Sequence, residues 1–338
     1  MSETMTAIGY RHSLPISDPD SLIALELPKP QPGPHDLLVR VHAVSVNPVD
    51  VKLRAALDPG GEAKVLGFDA AGVVEAVGPE VSLFEVGDEV YYAGNYTRPG
   101  TNSEFHLVDE RITGHKPAGL DFAAAAALPL TTITAWETLF DRFALTRDSS
   151  GTLLVMGAAG GVGSMVVQLA RALTSLTVIG SASRPESQDW ATELGAHHVV
   201  DHHGDLVRSV RQIAPEGVGY IFSPVSAGMV ETYAELLAVG GAVTAIDEPE
   251  GLDTLPLKAK SQSWHWELMF SRPVFAPEDT AQHELLDSVA RLVEKGAVRT
   301  TVTESLTPIS PANLRAAHAK VEAGSMIGKV VLHGPFSR

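Results

Sequence analysis

The sequence predicts an α/β protein in which a β-rich first domain precedes a doubly wound parallel sheet. Residues 1–126 alternate short apolar runs with glycine and proline turns, which is typical of a small β-barrel. Residues 151–247 alternate apolar strands with amphipathic helices, which indicates parallel strands joined by helical crossovers. A glycine-rich turn joins the first strand and the first helix of that second region. These three observations set the fold class.

Each predicted element rests on a local pattern. In the first region the alternation predicts strands at 36–44 and 71–78, and residues 86–92 are predicted to be a turn that leads into a third strand. Asp121 is expected to cap an alanine-rich helix over 122–128. In the second region the apolar runs predict strands at 152–156, 177–180, 198–201, 219–223 and 242–246. The intervening helices are predicted to begin near 162 and to cover 188–194, 206–213 and 229–237, the last closed by Gly240 and Gly241. Beyond them we expect a helix at 285–293, a strand at 298–306, a helix at 313–322 and a strand at 329–332 that returns to the first domain.

Composition limits the classes of function. The 338 residues suffice for two domains with their own cores. A net charge of −16 argues against binding to nucleic acid or anionic membranes, because both require basic patches. The chain has no cysteine, which excludes disulfides, thiolate zinc sites, iron–sulfur clusters and a cysteine nucleophile. No apolar run reaches the length of a membrane span and the N-terminus has no hydrophobic signal core, so we expect a cytoplasmic protein.

The glycine-rich turn is the strongest candidate for a binding site. Residues 151–170 have the pattern of a strand, a tight turn and a helix, which a dinucleotide site requires. We expect Gly160 to let the backbone approach a pyrophosphate and Gly163 to let the helix pack close to the strand, while the helix N-terminus offers free N–H groups. Ala158 stands where the strict G-x-G-x-x-G pattern has its first glycine. A purely structural turn is therefore the alternative.

Six short segments occur in a fixed order along nearly the whole chain. They are Val46-Asn47-Pro48-Val49-Asp50, Gly67-Phe68-Asp69-Ala70-Ala71-Gly72, Gly87-Asp88-Glu89-Val90, Thr131-Thr132-Ile133-Thr134-Ala135-Trp136, Ala158-Ala159-Gly160-Gly161-Val162-Gly163 and Gly328-Lys329-Val330-Val331-Leu332. In this order and spacing they resemble the zinc-free, quinone oxidoreductase-like branch of the medium-chain dehydrogenase/reductase superfamily. The segment Ser263 to Arg272 resembles a subgroup named zinc-type alcohol dehydrogenase-like.

The resemblance implies a GroES-like β-barrel domain and a Rossmann domain with a doubly wound parallel sheet. The first would consist of residues 1–126 and 299–338, and the second of residues 127–298. It also implies homodimers formed through the Rossmann domains.

The zinc ligands of other superfamily members can be compared with the residues that stand at the same positions in this sequence. The ligand positions of those members fall on Asn47 and Phe68 and near Leu130, and none of these side chains is a zinc ligand of the usual kind. The histidine-rich segment 197–203 is a poor substitute, because neighbouring residues of a strand point to opposite faces. We therefore expect no bound metal.

The residues after the second strand of the parallel sheet favour NADPH. NAD-specific sites place a carboxylate there on the ribose hydroxyls, whereas this sequence has Ser181, Ser183 and Arg184 and no carboxylate before Glu186. A guanidinium and two hydroxyls suit a 2′-phosphate. A solvated loop is the alternative. The full set of predicted cofactor contacts, partly implied by the resemblance, is Thr131, Thr134, Ala159, Gly160, Gly161, Val162, Gly163, Ser181, Ser183, Arg184, Ser223 and Lys329.

The resemblance also implies which residues act on the substrate. Asn47 would lie at the nicotinamide end of the cofactor and orient it or donate to the acceptor carbonyl; its structural alternative is a turn before Pro48. Lys52 occupies a position where some quinone reductases carry tyrosine, so a proton-donor role is a hypothesis. Thr134 is the third predicted catalytic residue. Asp50 is expected to cap a helix.

These expectations together describe NADPH-dependent hydride transfer to a quinone or an α,β-unsaturated carbonyl. Alcohol oxidation is disfavoured because the zinc ligand set, and with it a Lewis acid, is missing from the sequence. A quinone or enone needs less assistance, since it accepts hydride and spreads charge onto its oxygen. Two alternatives remain open: an alcohol dehydrogenase with an unconventional metal site, and a non-catalytic sensor that binds NADPH.

Overall fold

A computed structural model describes residues 3–337 and divides the chain into two compact units. The first unit consists of Met1–Ile133 and Phe270–Arg338, and the second of Thr134–Met269. None of the described helices is both long and apolar enough to span a bilayer.

The secondary structure follows the predicted alternation. The strands are β1 (Thr4–Tyr10), β2 (Ile23–Pro28), β3 (Asp36–Ser45), β4 (Lys64–Val65), β5 (Asp69–Val77), β6 (Glu89–Ala93), β7 (Phe105–Asp109), β8 (Thr113–His115), β9 (Thr152–Val155), β10 (Thr177–Ser181), β11 (His198–Val200), β12 (Val218–Ser223), β13 (Leu237–Ala245), β14 (Ser263–Trp266), β15 (Val302–Leu306) and β16 (Lys329–His333). The α-helices are α1 (Pro48–Ala56), α2 (Phe122–Ala126), α3 (Pro129–Trp136), α4 (Gly161–Leu173), α5 (Pro185–Glu193), α6 (Leu206–Ile213), α7 (Val230–Leu236), α8 (Ser271–Phe275), α9 (Ala281–Glu294) and α10 (Pro311–Glu322). A π-helical segment, Glu137–Arg142, follows α3.

The first unit is built on two sheets. The smaller has the order β2-β1-β4, and the larger has the order β15-β16-β3-β5-β6-β8, with β7 also paired to β3. Strand β16 runs antiparallel to β3, with Leu332 opposite Val44, so the C-terminal strand joins the sheet of the first unit as predicted. Ile8, Tyr92 and Leu332 lie together in its core, which therefore draws on both ends of the chain.

The second unit contains one parallel sheet of six strands in the order β11-β10-β9-β12-β13-β14. Numbered along the sheet's own sequence, this is the order 3-2-1-4-5-6 of a doubly wound dinucleotide-binding fold. Leu153, Leu154, Val178 and Ile221 have no exposed surface. Burial of neighbouring strand residues on both faces explains why these strands are continuous apolar runs in the sequence. The predicted doubly wound sheet is confirmed.

Two elements of this sheet differ from the prediction. Helix α7 ends at Leu236 and β13 begins at Leu237, so Gly240 and Gly241 lie inside the strand span instead of closing a helix. The register between β12 and β13 shifts near Val218, which is how the longer strand is accommodated. Strand β14 was not predicted, because its sequence Ser263-Trp264-His265-Trp266 is not the continuous apolar run by which the other strands of this sheet were predicted.

The placement of α9 differs from the predicted domain bounds, in which the second domain extends to residue 298. In the structure α9 packs on the first unit: Tyr91 Oη donates to the carbonyl of Leu286 at 2.6 Å, and the His115 backbone N–H donates to Asp287 at 2.8 Å. The amphipathic pattern of α9 indicates a buried face without indicating which sheet covers it. The predicted domain bounds are those implied by the family's fold, whereas the two units are defined by contacts between residues of this chain. The predicted bounds therefore stay a prediction.

Candidate active site

The glycine turn lies between β9 and α4. Gly157 has a positive φ of 62°, and Gly160 is the N-cap of α4 with φ −73°. A Cβ on Gly163 would lie 2.3 Å from the carbonyl oxygen of Gly157, so only glycine fits there. A Cβ on Gly160 would meet the same oxygen at 3.4 Å, an ordinary contact. The close helix–strand packing expected of Gly163 is therefore present, and Gly160 is free of steric constraint from the protein.

A glycine on the neighbouring strand compensates for Ala158, which stands at the first position of the fingerprint. A Cβ on Gly180 of β10 would lie 2.9 Å from the Cβ of Ala158, so the side chain at 158 uses the space that the glycine leaves. The backbone N–H of Ala158 donates to the carbonyl of Ser181 at 3.1 Å, which holds the turn against β10. The turn therefore forms although the strict pattern is not met.

The predicted 2′-phosphate residues divide between the interior and the surface. Ser181 is buried; its hydroxyl accepts from the Gly157 N–H at 3.1 Å and lies 3.3 Å from Nδ1 of His202. Ser183 is half-buried, and Arg184 is exposed as the N-cap residue of α5. Burial lowers the pKa of His202, and the neighbouring histidine at 203 lowers it further. The structure thus adds the imidazole of His202 to this loop, a contact that the sequence does not indicate.

The other predicted cofactor residues of the second unit have mixed surroundings. In the turn, Ala159 is buried, whereas Gly161 and Val162 are half-buried in the first turn of α4. Ser223, at the end of β12, donates its hydroxyl to the carbonyl of Val225 at 3.1 Å and forms a second hydrogen bond with the Tyr233 hydroxyl at 2.8 Å. A ligand would compete with those two contacts, and a cofactor role for Ser223 stays a prediction.

The histidine-rich segment does not converge on one point. The ring of His197 accepts from the backbone N–H of Val178 at 2.9 Å and contacts the Arg171 guanidinium. The ring of His202 instead lies beside the Ser181 hydroxyl. Among residues 3–337 no group of three or more histidine or acidic side chains is arranged to hold a metal ion.

A buried group of charged and amide side chains lies in the first unit. We call Asn47, Asp50, Asp69 and Lys329 the polar cluster. The Lys329 ammonium donates to Oδ2 of Asp69 at 3.1 Å, to the carbonyl of Val46 at 3.1 Å and to Oδ1 of Asn47. Nδ2 of Asn47 donates to the same carboxylate oxygen at 2.8 Å. The structure therefore brings together two predicted site residues, Asn47 and Lys329, through an acid that was not predicted.

Three neighbouring strands position this cluster. Asn47 follows β3, Asp69 begins β5 and Lys329 begins β16. In the register, Ser45 pairs with both Asp69 and Val331, so the end of β3 meets the starts of the other two strands. The side chains of residues far apart in sequence thus meet because β16, β3 and β5 are adjacent.

Asp69 also connects the cluster to α3. Its Oδ1 accepts from the backbone N–H of Leu130 at 2.7 Å, in the first turn of that helix, where a negative charge is favourable. The same helix carries Thr131 and Thr134, both buried. The Thr131 hydroxyl donates to the carbonyl of Leu128, the residue before α3, at 3.0 Å. The sequence signal for Asp69 was an acid at the start of an otherwise apolar strand.

Asp50 performs the capping role expected of it. Its carboxyl accepts from the Asn47 backbone N–H at 2.8 Å and from the Gly67 N–H at 3.1 Å. Burial raises the pKa of Asp50 to about 7, although these hydrogen bonds and the charge of Lys329 act in the opposite direction. Lys52, two residues later on α1, is exposed, so the structure does not bring this predicted proton donor into the buried cluster.

Three aromatic rings adjoin the cluster through Phe68, the residue before Asp69. The Phe68 ring centroid lies 4.8 Å from that of Phe270, which in turn lies 5.3 Å from that of Tyr96 in an edge-on arrangement. Phe68 and Phe270 are buried, whereas Tyr96 is 41% exposed. We call these three residues the aromatic group. The exposed part of the group is the phenol ring of Tyr96, which packs edge-on against the buried ring of Phe270.

The residues at the ligand positions of zinc dehydrogenases do not fit zinc. Asn47 offers an amide already bonded to a carboxylate and an ammonium, Phe68 offers a phenyl ring, and Leu130 offers an isobutyl group. The positive charge beside Asp69 is the ammonium of Lys329. The expectation that the chain binds no metal stays a prediction, and no step below depends on a metal.

The sequence matches two protein-family models. Residues 33–134 match the alcohol dehydrogenase GroES-like domain, and residues 161–266 match the zinc-binding dehydrogenase family. A zinc-type alcohol dehydrogenase-like protein of Staphylococcus aureus is 39% identical over 336 residues, covering 97% of this chain and all of the relative. A quinone oxidoreductase of Pseudomonas aeruginosa is 32% identical over 310 residues, covering 89% of this chain and 92% of the relative.

Solved structures extend the similarity over almost the whole chain. A crystal structure named as a candidate zinc-dependent alcohol dehydrogenase from Rhizobium etli has a TM-score of 0.95 at 50% identity and covers 99% of both chains. A mycobacterial protein complexed with NADPH has a TM-score of 0.82 at 27% identity and covers 98% of this chain and all of its own. With its GroES-like N-terminal domain and parallel Rossmann-type sheet, the chain belongs to the oxidoreductases of the medium-chain dehydrogenase/reductase superfamily.

Proposed function

We propose that this protein uses NADPH to reduce a quinone or an α,β-unsaturated carbonyl without catalytic zinc. The observation that carries the proposal is the chemistry of the polar cluster and of two residues beside it, Phe68 and Leu130. Where zinc dehydrogenases place metal ligands, this chain has an amide, a phenyl ring and an alkyl side chain, and an ammonium supplies the positive charge. Such a site favours an acceptor that needs hydrogen bonds but no Lewis acid.

The cofactor, when bound, supplies hydride from its nicotinamide. We assign its pyrophosphate to the turn at Ala159, Gly160, Gly161 and Val162, because α4 begins there and Gly160 leaves the backbone open. We assign its 2′-phosphate to Ser183 and Arg184. The relative complexed with NADPH supports this choice of cofactor.

The acceptor is assigned to Asn47 and the aromatic group. One amide hydrogen of Asn47 is bonded to Asp69, and the second is the donor we assign to the acceptor oxygen, where negative charge develops after hydride transfer. The half-exposed ring of Tyr96, which packs edge-on against Phe270, suits a planar, conjugated molecule. Thr131 and Thr134 remain proposed cofactor contacts. We also propose Lys52 as a proton donor, and this proposal rests only on the position that Lys52 occupies relative to other members of the family.

We further propose a cytoplasmic homodimer joined through the second unit. Strand β14 pairs with β13 and ends the described sheet, so one of its edges is available to another chain. Trp266 at the end of this strand is 50% exposed, as an interface residue of a free subunit would be. Light scattering would test the proposal by giving the mass in solution.

The Arg184→Ala variant tests the cofactor assignment. Loss of the guanidinium should weaken NADPH binding about 10- to 100-fold, equivalent to roughly 1.4–3 kcal/mol for a charge-assisted contact to phosphate, and leave NADH binding unchanged. Dissociation constants come from titration of nicotinamide fluorescence. Steady-state oxidation of both cofactors with a panel of quinones and enones then tests the reaction itself.

Arg208 provides a matched control, since it is an exposed arginine of the same unit on α6. Arg208→Ala should change neither dissociation constant. An unchanged preference between NADPH and NADH in Arg184→Ala would show that the 2′-phosphate assignment is wrong. Alcohol oxidation that requires a metal would favour an unconventional metal site, and tight NADPH binding without turnover would favour a sensor.

A further inference from the structure

We infer that Lys329 is a positioning residue whose buried ammonium serves, in place of a metal, as the fixed positive charge of the site and sets the orientation of the Asn47 amide. The inference rests on the proposed function, because the role proposed for Asn47 defines what is positioned.

The hydrogen bonds of Lys329 are fully used within the protein. An ammonium group has three N–H donors, and three acceptors surround this one: the carbonyl of Val46, Oδ1 of Asn47 and Oδ2 of Asp69. The side chain is 4% exposed. A direct contact with cofactor or substrate would require one of these bonds to break. The geometry therefore favours an internal role over the cofactor contact implied by the family resemblance.

The ammonium balances a carboxylate that has no access to water. Asp69 is fully buried, and its oxygens accept from Lys329, from Nδ2 of Asn47 and from the Leu130 N–H. A buried carboxylate is strongly unfavourable unless it is paired and hydrogen-bonded. Asp50 is a second buried carboxyl in the same cluster. Removal of the ammonium would leave the cluster without its positive charge.

The charge pair fixes which way the Asn47 amide faces. Its oxygen accepts from the ammonium, and its nitrogen donates to the carboxylate. The reversed amide would place NH₂ against the ammonium and oxygen against the carboxylate, which is repulsive at both ends. Asp69 and Lys329 thereby determine where the second amide hydrogen of Asn47 points, which is the hydrogen assigned to the acceptor.

The matched zinc-binding dehydrogenase model does not contradict this arrangement, because it covers residues 161–266 and none of the polar cluster. A cation site built from Asn47 and Asp69 would have to displace the covalently attached ammonium that already bonds to both. The cluster is therefore complete as a set of protein groups.

The test separates positioning from cofactor binding. Lys329→Met keeps much of the side-chain length and removes the charge. We expect its kcat to fall about 100-fold, as for loss of an oriented oxyanion donor, while the dissociation constant of NADPH changes less than about threefold. Lys320→Met is the control, because Lys320 forms a surface ion pair with Glu304 and should leave both values unchanged.

The absence of cysteine from the chain allows a specific rescue. In Lys329→Cys the introduced thiol is unique, and alkylation with 2-bromoethylamine in urea, followed by refolding, gives a thioether analogue of lysine. In that reaction the thiolate forms the S–C bond as bromide leaves. We expect the alkylated protein to recover most of the kcat lost in unmodified Lys329→Cys, with wild type carried through the same treatment as the reference.

The inference would be overturned if Lys329→Met kept its kcat, if NADPH binding fell as much as kcat, or if alkylation restored nothing. Thermal unfolding provides a readout independent of turnover. Lys329→Met should lower Tm by on the order of 8 °C, because an uncompensated buried carboxylate remains, and adding Asp69→Asn should recover at least half of that loss. If the wild-type protein showed no turnover, the proposed function would be refuted and the comparison of Tm values would decide the inference. If Asp69→Asn restored none of the Tm lost in Lys329→Met, the inference would be refuted.

Discussion

Replacement of Gly163 by alanine is expected to lower Tm by about 5 °C or more and to raise the dissociation constant of NADPH at least about 30-fold. The new Cβ would lie 2.3 Å from the Gly157 carbonyl oxygen and 2.9 Å from the Ala158 Cα, and both are backbone atoms that cannot rotate away. Helix α4 must therefore move from β9, which displaces the N–H groups assigned to the pyrophosphate.

Substitutions at two other glycines distinguish an effect on the stability of the fold from an effect on the contact with NADPH. Gly160 has an ordinary φ and room for a Cβ, so Gly160→Ala should keep the wild-type Tm and weaken NADPH binding only if the pyrophosphate approaches the backbone there. Gly119 is exposed, and a Cβ on it would touch nothing, so Gly119→Ala should change neither quantity. A Gly163→Ala protein with wild-type Tm and NADPH affinity would contradict the account of the turn.

Asn47→Ala is expected to lower kcat about 100- to 1,000-fold, the usual cost of removing one preorganised donor to a developing oxyanion. NADPH affinity should change much less, because the substitution leaves the Rossmann-type sheet intact. The measurement is steady-state kinetics at saturating NADPH, with the acceptor varied to separate kcat from KM.

The Asn47→Asp variant tests whether the side chain at position 47 acts as a hydrogen-bond donor or only occupies a polar position. The aspartate retains an oxygen for Lys329 but loses the N–H group directed at Asp69 and the one assigned to the acceptor. It should be as inactive as Asn47→Ala. The control is Asn313→Ala, another asparagine at the start of a helix, whose amide donates to the carbonyl of Pro308. Near-normal kcat in either variant at position 47 would remove Asn47 from the proposed mechanism.

The parallel sheet could be predicted because its signals are local. Five of the six strands were predicted from short apolar runs, and α6 occupies 206–213, as its own periodicity predicts. The turn could be predicted for the same reason, although the compensation of Ala158 by Gly180 depends on the pairing of two strands. The sequence does not show which unit α9 joins, since an amphipathic face does not identify its partner.

The polar cluster could be predicted only in part, because it assembles across long separations. Asn47 and Lys329 were expected from the family resemblance, but their contact spans 282 positions, and Asp69 connects them from a third segment. No sequence window contains that geometry. The same limit applies to Lys52, whose exposure depends on how α1 packs, and to Ser223, whose hydroxyl is bonded to Tyr233.

The most direct test of the central claim is the rate of NADPH oxidation with a quinone before and after treatment with a zinc chelator, on protein whose metal content is measured by mass spectrometry. The account predicts an unchanged rate and far less than one zinc ion per chain, since Lys329 already provides the positive charge beside Asp69. A rate that is lost with the chelator and restored by stoichiometric zinc would contradict it.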